Sequence, residues 1–129
     1  MAIVFGKSVI FSSSARTSSE NSDDQVSPDG ARGVRLYLDI SARSGTSPTL
    51  DVKVQAKDSL SGNYVDISGG AFAQKNATGT DDLIIYPSVA AVSNRRVGDH
   101  IPRDWRVVGT IGGSSTPTFT YTVLCQYLG

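Results

Sequence analysis

From Val34 to Ala42, apolar and polar residues alternate without a break. Val34, Leu36, Leu38, Ile40 and Ala42 take one side, and Arg35, Tyr37, Asp39 and Ser41 take the other. A period of two is the repeat of an extended strand, whose successive side chains point to opposite faces; a helix would scatter the same residues around its circumference. The pattern returns at Leu50, Val52, Val54 and Ala56, set against Asp51, Lys53, Gln55 and Lys57. Ser44-Gly45-Thr46-Ser47-Pro48 lies between the two runs and carries turn chemistry. Together they predict an antiparallel hairpin with one buried face. A third run closes the chain, with Phe119, Tyr121, Val123, Cys125 and Tyr127 opposite Thr118, Thr120, Thr122, Leu124 and Gln126.

The remaining segments fit the same class. Ile3 to Phe11, broken by Gly6, reads as a strand, as do Tyr64 to Ile67, Leu83 to Tyr86 and Trp105 to Ile111. Ala71-Phe72-Ala73 is a brief pairing segment. Gly69-Gly70 and Gly112-Gly113 read as strand-ending turns or bulges, since neither is followed by the Lys-Ser/Thr of a phosphate loop. No capped amphipathic helix is visible, and residues 88–103 are the least regular part. The expected fold is all-β: a single antiparallel β-sandwich or jelly-roll-like domain over residues 34–129. Its predicted core is Leu36, Leu38, Ile40, Leu50, Val52, Val54, Trp105, Val107 and Phe119.

Residues 1–33 read differently. The stretch SSSARTSSENSDDQVSPDGARG from Ser12 to Gly33 is Ser-rich and nearly free of large apolar side chains. Alone it buries too little surface to offset its ordering entropy. It is expected to be an extended N-terminal arm: either a loose surface segment or one that docks on another subunit.

Charge and rare residues narrow the function classes. Twelve Lys and Arg balance twelve Asp and Glu. That speaks against a nucleic-acid binder held by bulk positive charge. No apolar stretch reaches the length of a membrane helix, and the short apolar N-terminus lacks the basic flank of a signal peptide. The single Cys125 rules out an internal disulfide and a cysteine-based zinc site; in the last strand it reads as a small buried hydrophobe. The single His100, beside Asp99, has no nucleophile marked for it and reads as a structural or exposed residue. Asn76-Ala77-Thr78 matches a glycosylation sequon and reads as a coincidence in a loop. No catalytic residue, cofactor or metal ligand set is expected, and the chain reads as a binding or structural module rather than an enzyme.

Candidate partner contacts are therefore surface groups. Ile3, Val4, Phe5, Val9 and Phe11 belong to a strand able to add to a neighbour's sheet edge. Arg16, Arg32, Arg95, Arg96 and Arg103 are cations able to pair bidentately with an acidic partner surface, against the alternative of solvated loops. Trp105, the only tryptophan, reads as a plug at the end of the core rather than a sugar-stacking platform.

Several segments resemble a family of small virion proteins of tailed bacteriophages. They are Ser14-Ala15-Arg16-Thr17, Gly30 to Ile40, Ser44 to Leu50, Gln55 to Tyr64, Ile85-Tyr86-Pro87, Pro102 to Val107 and Phe119 to Val123. The resemblance covers most of the chain. It implies a structural protein of the particle, with capsid decoration the favoured role: a β-rich subunit on the outside of the head that reinforces it. The implied partners are the major capsid protein and further copies of the chain, as a homotrimer or other homo-oligomer, with no nucleic acid and no membrane. The implied location is the virion exterior, after synthesis in the host cytoplasm. A tail, baseplate or head–tail connector component is the alternative within the class, and a receptor- or glycan-binding module the alternative outside it. The polar outer face of Arg35, Tyr37 and Asp39 departs from the Val-rich first strand of the family and leaves open which face meets a partner.

Overall fold

The computed structural model describes residues 5–129. They form one mixed sheet of eight strands, with no helix among the described residues. The strands are β1 (Lys7–Arg16), β2 (Glu20–Asn21), β3 (Gln25–Val26), β4 (Gly33–Lys57), β5 (Tyr64–Ala71), β6 (Gly79–Ile85), β7 (Arg96–Val97) and β8 (Asp104–Leu128). All pairings are antiparallel except β6 with β7.

Two strands of 25 residues each, β4 and β8, organise everything else. They pair along nearly their whole length, from Gly33 opposite Leu128 to Ala56 opposite Trp105. The hairpin expected between the two alternating runs of residues 34–57 is therefore corrected. Those runs do not pair with each other; both belong to β4 and both pair with β8. The Gly/Pro segment between them is a corner inside a strand, not a chain reversal. The partner strand carries a matching break. Gly45 (φ +107°) lies against Pro117, and Gly113 (φ +118°) lies against Pro48. A Cβ on Gly45 would stand 2.8 Å from the Pro117 Cα, and one on Gly113 would stand 3.0 Å from the Pro48 Cα. Only glycine meets both the positive φ and the close approach without strain. Ser47, Ser115 and Thr116 also hold positive φ in this corner.

Beyond the corner the ribbon doubles back, and the two ends of β8 meet. The Trp105 and Tyr127 rings pack edge to face at 6.2 Å between centroids, and the Tyr121 hydroxyl sits over Gly109. Two half-sheets result. The first has β1, residues 118–128, residues 33–44, β6 and β7 in order. The second has β2 and β3 beside residues 104–112, then residues 49–57, then β5.

The core draws residues from both halves. All nine residues predicted for it are at most 3% exposed, and Phe119, Tyr121, Val123, Cys125 and Tyr127 of the last run are buried as well. Each large apolar side chain so buried contributes about 1.5–3 kcal/mol relative to exposure. Val97 and Ile101 join the core from the otherwise irregular 88–103 segment.

Residues 12–33 differ from the loose segment predicted by composition. β1 runs on through Arg16, and β2 and β3 pair with β8. Two serines explain the attachment. Ser22 Oγ accepts from the Val107 N–H at 2.9 Å and donates to the Asp23 carbonyl, while the Ser22 N–H donates to the Val107 carbonyl. Ser27 Oγ accepts from Trp105 Nε1 at 3.1 Å and donates to the Pro102 carbonyl. Both are buried. Hydrogen bonds to the edge of β8 hold this segment where hydrophobic burial does not.

Candidate binding surface

The candidate contact residues fall into three groups. Ile3 and Val4 lie outside the described residues. Phe11 and Arg16 belong to the interior and are corrected as surface contacts: they are 5% and 7% exposed. The Arg16 guanidinium lies 5.0 Å from the centroids of both the Phe11 and Tyr121 rings. Its Nη1 donates to Ser14 Oγ and its Nη2 to the Ser12 carbonyl, both at 2.7 Å. Glu20 Oε2 stands 3.7 Å from Nε. This arginine clamps the end of β1 to its own turn and to β8. Sequence read it as a free cation because nothing local shows that two aromatic rings converge on it.

The remaining candidates are at or near the surface. Phe5 is half-buried against Tyr127, and Gln126 Nε2 donates to its carbonyl at 2.8 Å. Val9 is 62% exposed. It sits opposite Leu124, which in turn sits opposite Tyr37, so an apolar row crosses β1, β8 and β4 on the outer face. Arg32 lies over the Tyr86 ring. Arg95 approaches Asp82, which also binds Arg35, and Arg103 pairs with Asp29 at 2.8 Å. Arg96 is exposed on β7.

A second cluster was not foreseen. On the outer face of the second half-sheet, Asp24 accepts from Lys57 Nζ and from the Tyr64 hydroxyl, each at 2.6 Å. Arg106 stacks on Tyr64 at 3.4 Å and donates to Gln55. Asp66 accepts from Gln55 and Lys53. The Lys57 and Tyr64 hydrogen bonds hold the Asp24 carboxyl below the usual range, and those from Gln55 and Lys53 do the same for Asp66. The cluster joins the β2–β3 loop to β4, β5 and β8, and its members are too far apart in sequence to signal each other.

The turn between β4 and β5 is the other unforeseen feature. Asp58 accepts from the Leu60 N–H and the Ser61 hydroxyl, and its own carbonyl accepts from the Gly62 N–H. Ser59 donates to Asp104 at 2.7 Å, tying the turn to β8. The Ser61 hydroxyl and the Leu60 N–H lower the Asp58 pKa. On this braced turn Leu60 is 98% exposed, more than any other large apolar side chain described. The Asp-Ser-Leu-Ser-Gly-Asn string signals the turn; that hydrogen bonds would tie it to β8 and that its leucine would point outward was not legible.

The groups with catalytic potential sit apart. His100 Nδ1 is 3.2 Å from Asp99 in an exposed loop. Cys125 is buried, and burial raises its thiol pKa, which disfavours the reactive thiolate. Among the described residues, no three His, Cys, Asp or Glu side chains gather as a metal site. Comparison with protein-family models, curated proteins and solved structures finds no match.

Proposed function

We propose that the chain is a structural subunit of a bacteriophage particle, a decoration protein on the outside of the head, built as a two-layer β-sandwich. The reading rests on the sequence resemblance and on one structural observation, the braced turn that displays Leu60. An apolar side chain held out by a braced turn binds with little further loss of backbone freedom, which favours contact with a preformed partner surface. The turn lies within the Gln55–Tyr64 segment that carries part of the resemblance. The partner is the major capsid protein, and repeated weak contacts across the shell supply avidity.

The test has two parts. Imaging of intact particles locates the chain; shell-wide coating supports decoration, and confinement to tail or neck refutes it. Binding of the free subunit to purified shells should fall at least about tenfold in Leu60→Asp, as loss of a central apolar anchor predicts. Unchanged shell binding removes the turn from the interface.

A further inference from the structure

The chain is neutral overall, yet its two half-sheets are not. The first half-sheet and its bordering loops carry Lys7, Arg16, Arg32, Arg35, Arg43, Arg95 and Arg96 against Asp39, Asp81, Asp82 and Asp99. The second carries Glu20, Asp23, Asp24, Asp51, Asp58, Asp66 and Asp104 against Lys53, Lys57, Arg106 and Lys75, which is bridged to Leu50. Two ion pairs, Arg16–Glu20 and Lys75–Asp81, run between the halves; the others form within a half, and an excess remains on each. Asp82 serves both Arg35 and Arg95, and Asp81 serves Lys75. Asp24 and Asp66 serve Lys57 and Lys53. Among the described residues, no carboxylate pairs with Lys7, Arg32, Arg43 or Arg96, and no cation pairs with Asp23, Asp51, Asp58 or Asp104. Because the two half-sheets meet through the core, their outer faces point away from each other. The molecule has a basic face and an acidic face.

We infer that these faces recognise each other, so that the chain self-associates head to tail, the basic half-sheet of one copy on the acidic half-sheet of the next. A two-fold arrangement would set like faces together and repel. The charge pattern selects the heterologous contact, which closes as a ring or continues as a chain according to its rotation. The outer apolar row of Val9, Leu124 and Tyr37 gives the basic face a surface that gains from being covered. A neutral formal charge also removes the general repulsion that would hold copies apart. This inference stands on the charge distribution and not on the shell-binding reading.

Sedimentation velocity of the full chain tests it at ionic strengths of about 0.01 M and about 1 M, where the screening length falls from about 30 Å to about 3 Å. Association is expected at low salt and should weaken at least about tenfold at high salt. Two double variants provide the internal check, Arg43→Glu/Arg96→Glu and Asp23→Lys/Asp51→Lys. Each should be monomeric at low salt, because each pair of substitutions cancels or reverses the excess charge of one face. An equimolar mixture should re-associate, which also shows that both variants are folded. A wild-type chain that stays monomeric at low salt overturns the inference. So does association unaffected by salt or by the variants, or a mixture that does not re-associate. Shell binding by the monomeric variants is measured separately, so failure of one reading is distinguishable from failure of the other.

Discussion

Gly109 and Tyr121 provide a sharp test of how the two half-sheets meet. A Cβ built on Gly109 would overlap the Tyr121 hydroxyl oxygen, while standing 3.4 Å from Cζ and 4.0 Å from Cε2. The conflict is with the oxygen almost alone. Tyr121 is 1% exposed, so its ring has little room to move aside. Overpacking of this kind costs about 1–3 kcal/mol. Alanine in a strand returns about 0.5–1 kcal/mol of backbone entropy, so Gly109→Ala should lose about 1–2 kcal/mol. The hydroxyl finds no hydrogen-bond partner among the described residues. Tyr121→Phe should therefore be neutral or stabilise by up to about 1 kcal/mol. In the double variant the clashing atom is gone, and stability should equal that of Tyr121→Phe alone or exceed it by up to about 1 kcal/mol. Urea unfolding of the four proteins closes the cycle; with a slope of about 1–3 kcal/mol per molar, the Gly109→Ala midpoint should fall by about 0.5–1 M. Equal losses from Gly109→Ala in both backgrounds would refute the contact. A loss above about 1 kcal/mol in Tyr121→Phe would show that the hydroxyl is bonded after all.

Arg16→Ala should destabilise by about 1–3 kcal/mol and increase proteolysis within residues 12–33; unchanged cleavage would show that the clamp is not what holds β1. At the corner, Gly45→Ala should cost at least about 1 kcal/mol from its positive φ alone, plus the overlap with Pro117, measured by the thermal midpoint. The Asp24–Lys57–Tyr64 contact depends on acid pH. The folded-state pKa of Asp24 is depressed, so its contribution is present above about 3.8 and is lost as pH falls through the lower folded value. Protease cleavage of the β2–β3 loop should rise below that point and stay flat from pH 5 to 7. Burial pushes Tyr121 and Tyr127 up to about 12. Their contribution is complete below about 10 and is lost as pH rises toward 12, so tyrosinate absorbance and unfolding should appear together in that window.

Much of the candidate surface was illegible for one shared reason. Arg16 and Arg103 look alike in sequence, yet one is buried between two rings and the other is exposed beside Asp29. Ser22 and Ser27 are indistinguishable from the serines around them until Val107 and Trp105 are placed beside them. Leu60 could be assigned to a turn, since Asp, Ser, Gly and Asn act locally there, but its exposure depends on what the turn leans against.

Period-two alternation determined the fold class and the buried face of β4 and of residues 119–127 in β8, because which face a side chain takes is a local property of extended backbone. It assigned the interior positions of residues 34–40, 50–54 and 119–127 without reference to any partner strand. Pairing was decided only by the tertiary structure. A strand's hydrogen-bonding edges look the same whatever its sequence, and nothing in residues 44–48 distinguishes a reversal from a corner. The difference lies in the matching Gly113 and Pro117 on a strand about 70 residues away. That long-range match turned an expected hairpin into a doubled ribbon. It also set a basic face and an acidic face on opposite sides of a neutral chain.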